Sequence, residues 1–185
     1  MKVTKTQIPE VLVIEPKVFG DERGFFLETW QRDRYAEHGI TRAFVQDNMA
    51  SSHKGVLRGL HVQHPRAQGK LVQVLSGEVF DVAVDIRRGS PWFGKWAGVR
   101  LNGKDRRQMW IPPGFAHGYY VLSEDAVFAY KCTDFYHPEN EFSVQWNDPV
   151  IAIDWPLDRE PVLSHKDSSA QPLNGIAIDR LPSIT

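Results

Sequence analysis

Four polar side chains that can bind anions or exchange protons lie close together in GVLRGLHVQHP, residues 55–65. They are Arg58, His61, Gln63 and His64, set among small and apolar residues. Alternate residues of a regular strand point to opposite faces, so Arg58 and His61 would point apart. Gly59 lies between them and could host a β-bulge that turns both to one side. The segment is therefore interpreted either as a surface strand with one inward polar residue or as the wall of a binding cavity.

A second candidate is the histidine of MWIPPGFAHGYYV, residues 109–121. The spacing Pro112-x-Gly114-x-x-His117 predicts a turn that delivers His117 to the next strand. It resembles the second motif of the cupin superfamily of small β-barrels. Cupins often bind a metal through a His-x-His pair and this later histidine, ligands that suit Zn, Fe, Mn or Ni. Here the first pair is His61-x-Gln63, so no metal is expected; the alternative for His117 is a hairpin with a surface histidine.

Two further residues gain chemical meaning only if they face a cavity. Lys70 opens the alternating segment KLVQVL, and a lysine at a cavity rim can hold a phosphate or stabilise an enolate oxygen. Tyr130 lies in AVFAYKC, in an apolar row with Phe128 and Cys132. Most lysines at such positions are solvated, and most such tyrosines belong to the core. Both alternatives stay open from the residues alone.

The elements that must position these residues are predicted to be short antiparallel strands. VFDVAVDI, residues 79–86, alternates strictly, and SGE before it predicts a hairpin turn from the KLVQVL strand. Helical signal is limited to QRDRYAEHG, which predicts two turns ending at Gly39, and to one short helix near Ser164. Many short strands predict an all-β sandwich or barrel, and small barrels can hold a ligand inside.

Length, charge and cysteine content exclude several classes of protein. The 185 residues fit one domain, 1–185, with an extended C-terminal segment from about residue 148. A net charge of −1 predicts no overall positive electrostatic potential that would attract a nucleic-acid polymer or an anionic membrane. Cys132 is the single cysteine, which excludes a disulfide framework and favours the cytoplasm. The start MKVTKTQIPEV predicts no signal peptide, and no apolar run approaches the ~20 residues of a spanning helix.

An ordered series of motifs over nearly the whole chain resembles the dTDP-4-dehydrorhamnose 3,5-epimerase family. The series is DERGFFLETW, QDNMASSHKGVLRGLHVQ, QGKLVQVLSGEVFDVAVDIRRGSPWFGKW, IPPGFAHGYYVLSEDA, YKCTDFYHPENE, WNDP and LSHKDSSAQPL. VLRGLH followed by PPGFAHG is specific to this family and its close sugar-nucleotide relatives. The resemblance implies a cupin-type antiparallel β-barrel (a jelly roll) with a few short helices. It also implies a homodimer and no required metal or other cofactor.

The same resemblance implies a reaction and a role for each candidate. The family substrate is a dTDP-linked 4-keto-6-deoxy sugar, whose C4 keto group acidifies the protons on C3 and C5. His61 is then the base that forms an enolate, and Tyr130 is the acid that returns a proton to the opposite face. Lys70 matches the lysine that stabilises the enolate oxygen, although the loop HVQHPRAQGK before it is shorter than expected. Asp167 matches the aspartate that orients the imidazole.

The remaining matched positions contact the nucleotide-sugar in the family. They are Arg23, Glu28, Gln46, Asp47, Asn48, Arg58, His117, Tyr136, Glu141 and Lys166. Arg58 fits a diphosphate because its guanidinium forms paired charged hydrogen bonds, and Tyr136 matches the aromatic residue that stacks on thymine. The prediction is therefore a dual C3 and C5 epimerase of dTDP-L-rhamnose synthesis. The alternatives are an epimerase of one carbon only, a metal-dependent cupin such as a dioxygenase, and a non-catalytic sugar-nucleotide binding protein.

Overall fold

Thirteen strands dominate the computed structural model, which describes residues 1–184. They are β1 (Lys2–Lys5), β2 (Leu12–Glu15), β3 (Val18–Asp21), β4 (Gly24–Leu27), β5 (Gln46–His53), β6 (Leu57–Gln63), β7 (Lys70–Ser76), β8 (Glu78–Asp85), β9 (Trp96–Asn102), β10 (Gln108–Ile111), β11 (Phe115–Val121), β12 (Asp125–Cys132) and β13 (Glu141–Ser143). A six-stranded sheet has the order β1-β2-β10-β7-β12-β5, and a five-stranded sheet has the order β13-β6-β11-β8-β9. All pairings within these sheets are antiparallel, as the sequence predicts for the fold class.

The space between the two sheets holds the first apolar core. It receives one face of β7, β8, β9, β10, β11 and β12, with buried side chains such as Val72, Ala83 and Phe128. Side chains on a strand alternate between faces, so the strictly alternating strand β8 also presents Val82 and Val84 to the outside of the five-stranded sheet.

Both outer sheet faces are covered by other parts of the chain. Residues 148–184 lie across the five-stranded sheet, where Trp155 and Leu173 pack beside Val82. Parallel bridges from Val162 to Val56 and from Gln171 to Val144 fasten this tail. The predicted extended segment therefore closes a second core.

The outer face of the six-stranded sheet is covered by the segment around α1 (Arg32–Ala36). Gln31 caps this helix, with its side-chain oxygen accepting from the Arg34 N–H, and Gly39 follows at φ 86°. The predicted helix is thus present and shorter than expected. No helix of residues 1–184 is long enough to cross a membrane.

The predicted hairpin at SGE is wrong. Gly77 joins β7 of the six-stranded sheet to β8 of the five-stranded sheet, so the two strands are not neighbours. Alternation shows that each segment is a strand but does not identify its partner. The partners of β7 are β10 and β12, and those of β8 are β11 and β9.

A two-stranded ribbon of β3 and β4 stands apart from both sheets. Its aromatic side chains are largely exposed: Phe19 is 51%, Phe25 58% and Phe26 70% accessible. Large apolar side chains gathered on one exposed ribbon are typical of a surface that is covered in an assembly.

Candidate active site

A β-bulge on β6 brings Arg58 and His61 to the same side of the strand. His61 pairs with His117 of β11, whereas Arg58 pairs with Tyr119, so the pairing shifts by one residue between them. Gly59 has φ 125°, and a Cβ atom there would lie 2.6 Å from the Cα of Gly118. Only glycine fits this backbone, which is why the sequence carries it between the two polar residues.

Both side chains line one cavity of about 110 Å³ between the sheets. The complete lining is Ala50, Arg58, His61, Lys70, His117, Tyr119, Phe128 and Tyr130. Larger grooves lie on the outer surface, such as the one of about 540 Å³ on the β3–β4 ribbon, but the single carboxylate in that groove, Asp21, is paired with Arg23. The sequence candidates His61, Lys70 and Tyr130 therefore meet in one place.

His61 is held by an aspartate from the C-terminal tail. Its Nε2 lies 2.7 Å from Oδ1 of Asp167, whose side chain is only 3% accessible. The short helix α2 (His165–Ser168) presents Asp167, and the Ser164 hydroxyl caps this helix by accepting from the Asp167 N–H at 3.2 Å. The same hydroxyl donates to Oδ2 of Asp167 at 2.8 Å. Burial alone would raise the pKa of Asp167, but the bonds from His61 and Ser164 hold it below 3.8.

Lys70 is the more buried of the two cations that line the cavity, the other being Arg58. Its Nζ lies 5.9 Å from the centroid of the Tyr130 ring. Burial lowers the pKa of Lys70 below 10.5, and the neighbouring Cys132, Glu141 and Asp81 oppose this only in part. A lysine whose ammonium group is poorly solvated interacts strongly with a developing negative charge.

Tyr130 supplies a phenol that stays protonated. Burial, followed by the proximity of Cys132, Tyr119 and Glu141, raises the pKa of Tyr130 to about 12. The side chain is tilted against Phe128, with 5.9 Å between ring centroids. A protonated phenol that faces the same cavity as a histidine can donate its own proton to a carbon that the histidine has deprotonated from the opposite face.

His117 lies behind Lys70 in a second histidine–aspartate pair. Its Nε2 lies 3.1 Å from both carboxylate oxygens of Asp81, which is fully buried. Burial lowers the pKa of His117, and the charge of Asp81 opposes this in part. The histidine is 6% accessible, so the alternative of a surface histidine is wrong.

Beyond the cavity, three predicted ligand residues share hydrogen bonds. The Tyr136 hydroxyl donates to Oε2 of Glu141 at 2.9 Å, and Lys166 Nζ donates to the same oxygen at 2.8 Å. Burial would raise the pKa of Glu141, but these two hydrogen bonds bring it below 4.5. Lys166 precedes Asp167 in α2, so this cluster adjoins the His61 pair.

Other predicted ligand residues are spread more widely. On β5, Gln46 donates to Asn48 at 3.0 Å, whereas Asp47 points to the opposite face and pairs with Lys131. Arg23 lies on the ribbon and pairs with Asp21, and Glu28 pairs with Arg34 near α1. The side chains that do not line the cavity are those of five predicted ligand residues, Arg23, Glu28, Gln46, Asp47 and Asn48.

Comparison with known proteins explains why these groups are gathered here. The model of the family described as dTDP-4-dehydrorhamnose 3,5-epimerase matches residues 5–175. The chain belongs to this family. The dTDP-4-dehydrorhamnose 3,5-epimerase of Pseudomonas aeruginosa is 58% identical over 168 residues, which cover 90% of this chain and 93% of that protein.

Solved epimerase structures share the whole fold. A dTDP-6-deoxy-D-glucose-3,5-epimerase of Legionella pneumophila, solved in complex with dTDP-4-keto-L-rhamnose, is 61% identical with a TM-score of 0.98. The match covers 100% of this chain and 98% of that one. A 3'-monoepimerase of Streptomyces bikiniensis, in complex with dTDP-quinovose, is 32% identical with a TM-score of 0.89 over 97% of this chain and 92% of that one. The family, the enzyme class and the jelly-roll fold predicted from the sequence are confirmed.

Three residues in or beside the candidate site were assigned no role from the sequence. Asp81 is indicated only as an acidic residue on the inward face of β8, and Gln63 only as the residue replacing a cupin histidine. Tyr119 follows His117 at strand spacing and stacks on Phe128 at 4.3 Å between centroids. Its hydroxyl is buried without a hydrogen bond among residues 1–184, although Ser52 lies nearby. Among the same residues, no group of three or more His, Cys, Asp or Glu side chains could hold a metal ion.

Proposed function

We propose that this family member inverts C3 and C5 of dTDP-4-dehydro-6-deoxy-D-glucose by the residues gathered in the cavity, giving dTDP-4-dehydro-L-rhamnose. The supporting observation is the His61–Asp167 pair at 2.7 Å, which shares the cavity with Tyr130 and Lys70. Enolate chemistry requires three groups: a base, here oriented by a carboxylate; an acid; and a cation that stabilises the enolate oxygen.

In this proposal His61 removes the proton. Asp167 accepts from Nε2–H and leaves Nδ1, which has no partner among the described residues, to take a proton from carbon. The imidazolium that forms is stabilised by the buried carboxylate. Asp167 therefore acts through His61 and keeps its own charge, which its lowered pKa favours.

Lys70 and His117 lie where the C4 oxygen of the substrate would carry negative charge. Lys70 offers a full charge. Asp81 occupies Nε2 of His117, so His117 adds a hydrogen-bond donor at Nδ1 only when its imidazole is protonated. Tyr130, with its pKa of about 12, then donates its proton to the carbon from the opposite face. Because one base and one acid serve both carbons, the sugar must present C3 and C5 in turn. The first inversion leaves His61 protonated and Tyr130 as a phenolate, so His61 must lose a proton to solvent and Tyr130 must regain one before the second carbon reacts.

The nucleotide is held outside the catalytic cavity. Arg58 lines the cavity and donates to Ser52 at 3.0 Å, a position from which its remaining N–H groups can bind the diphosphate. Tyr136 is half exposed and can stack on thymine, with its hydroxyl donating to Glu141, which Lys166 also holds. Gln46, Asp47 and Asn48 complete the proposed nucleotide contacts.

We also propose a homodimer, since a second copy would cover the exposed aromatic side chains of the β3–β4 ribbon. Arg23 and Glu28 then take part in binding only across the dimer interface. A Phe26→Lys variant should be monomeric in analytical ultracentrifugation, whereas the unchanged chain is a dimer. A monomeric wild-type protein would refute this part. We further propose the cytoplasm as the location, where a single free thiol, Cys132, stays reduced.

Proton NMR in D₂O tests the reaction itself. The enzyme is incubated with dTDP-4-keto-6-deoxy-glucose, and the product is trapped by a 4-ketoreductase. Deuterium at both C3 and C5, with dTDP-L-rhamnose formed, is the expected result. Deuterium at one carbon would instead identify a single-site epimerase, and no exchange would leave a binding protein.

A further inference from the structure

Gln63 holds the backbone on both sides of Tyr136. Its Nε2 donates to the carbonyl of Phe135 at 3.0 Å, and its Oε1 accepts from the N–H of His137 at 2.8 Å. One side-chain amide thus spans the residue between them, as a neighbouring strand would. Gln63 is 7% accessible and lies two residues beyond His61 on the same face of β6.

The same amide also reaches the loop after β6. Nε2 donates to the carbonyl of Arg66 at 2.6 Å. That loop is joined to the Tyr136 loop by two parallel hydrogen bonds from Arg66 to Asp134, and by one from Gln68 Nε2 to the Asp134 carbonyl at 2.9 Å. Gln63 lies beneath this junction and satisfies backbone groups from both loops.

Tyr136 itself has little other support. Its side chain is 50% accessible, and the neighbouring Phe135 is 55% accessible, so apolar packing does not fix the loop. Its backbone N–H donates to Oε1 of Gln46 at 2.8 Å, and its hydroxyl meets Glu141. Hydrogen bonds to buried or half-buried side chains therefore determine where the ring lies, and Gln63, the buried one, provides two of those closest to it.

We infer that Gln63 is the positioning residue for the nucleotide-stacking tyrosine, and that it couples the strand of the catalytic base to the binding of the dTDP carrier. The inference rests on the proposed role of Tyr136 as the thymine contact. It also gives a function to the position where a metal-binding cupin would carry its second histidine. At this position the Gln63 amide forms hydrogen bonds only with backbone groups of the two loops. In this chain the position therefore serves binding of the dTDP carrier.

A double-mutant cycle on dTDP binding tests the inference. Gln63→Met keeps the length of the side chain and removes all three hydrogen bonds. It should raise the Kd for dTDP, measured by calorimetry, by about tenfold, while kcat at saturating substrate changes less than twofold. In a Tyr136→Leu background the same substitution should change Kd less than twofold, because the ring that it positions is gone.

Matched controls separate positioning from general damage. Gln68→Met removes one amide-to-backbone bond of the same junction without touching the neighbours of Tyr136, and should leave Kd within twofold. If Gln63→Met does not fold, Gln63→Asn serves instead, since it keeps a neutral amide at the buried position but is one methylene shorter and cannot make all three hydrogen bonds. Circular dichroism establishes that each variant is folded.

Two results would overturn the inference. The first affects only the role of Gln63, and the second also affects the proposed stacking role of Tyr136. If Tyr136→Leu weakens dTDP binding but Gln63→Met costs the same tenfold in both backgrounds, Gln63 does not act through the tyrosine. If Tyr136→Leu binds dTDP as tightly as the unchanged protein, the proposed stacking role of Tyr136 fails, and the inference fails with it.

Discussion

Replacing Asp167 by Asn tests the catalytic pair most directly. The substitution keeps the size and the planar shape of the side chain, and it removes the negative charge that faces His61 at 2.7 Å. A pair at this distance falls in the range of charge-assisted hydrogen bonds. Exposed ion pairs contribute at most about 1 kcal/mol, but Asp167 is only 3% accessible, so its interaction is weakly screened.

The expected loss follows from that geometry. Hydrogen bonds to charged groups contribute roughly 1.5–3 kcal/mol, and His61 becomes charged only after it has taken the proton. The barrier to proton transfer should therefore rise by that amount, which corresponds to a kcat lower by roughly 10- to 150-fold. Ground-state binding does not involve the imidazolium, so KM should stay within about threefold.

The assay is exchange of deuterium into C3 and C5 together with the coupled rate of product formation. Both exchange rates should fall in parallel, because one base serves both carbons. Asp158→Asn is the matched control: that carboxylate pairs with the Tyr120 hydroxyl at 2.7 Å, away from the cavity. An Asp167→Asn enzyme with nearly normal kcat would refute the reasoning, as would a variant in which KM alone has changed.

Further predictions concern the cavity residues and the helix cap. In the pH profile of kcat/KM, the basic limb should lie below pH 10.5, because Lys70 loses its charge at its lowered pKa, and Lys70→Arg should abolish that limb. Tyr130→Phe should slow epimerisation at C3 and at C5 more than deuterium exchange at the same carbons, because His61 can still remove a proton and return a deuteron to the same face; equal losses would contradict the role of Tyr130 as the acid. Below about pH 4 the free energy of unfolding should fall less in Asp167→Asn than in the unchanged protein. The reason is that the folded carboxyl titrates below 3.8, so its stabilisation is lost as the pH falls towards its folded pKa. Ser164→Ala should lower kcat about three- to tenfold through the freed carboxylate, with rescue by Ser164→Thr as the check.

Local backbone chemistry made part of the site predictable. A glycine between two polar residues marked the bulge on β6, because few other residues tolerate such a backbone. Alternation identified β7, β8 and β12, and the Pro-Gly turn delivered His117 as expected. Strand pairing was not predictable at Gly77, where a pattern of burial cannot distinguish a hairpin from a crossing between sheets.

Contacts over long sequence distances could not be derived from the residues alone. His61 and Asp167 are 106 residues apart, and only the family resemblance connected them. Their pairing depends on how the tail crosses the five-stranded sheet, which no local signal encodes. The placement of Arg23 and Glu28 at the substrate stays a prediction for the same reason, since these residues do not reach the cavity of their own copy.

The position of Asp167 ties the catalytic pair to the closure of the second core. The tail that carries Asp167 is fastened by bridges to Val56 and Val144, and its apolar side chains cover the outer face of the five-stranded sheet. His61 therefore acquires its carboxylate partner only when the tail has docked on that face. The strength of the catalytic pair thus depends on packing on the side of the sheet that faces away from the cavity.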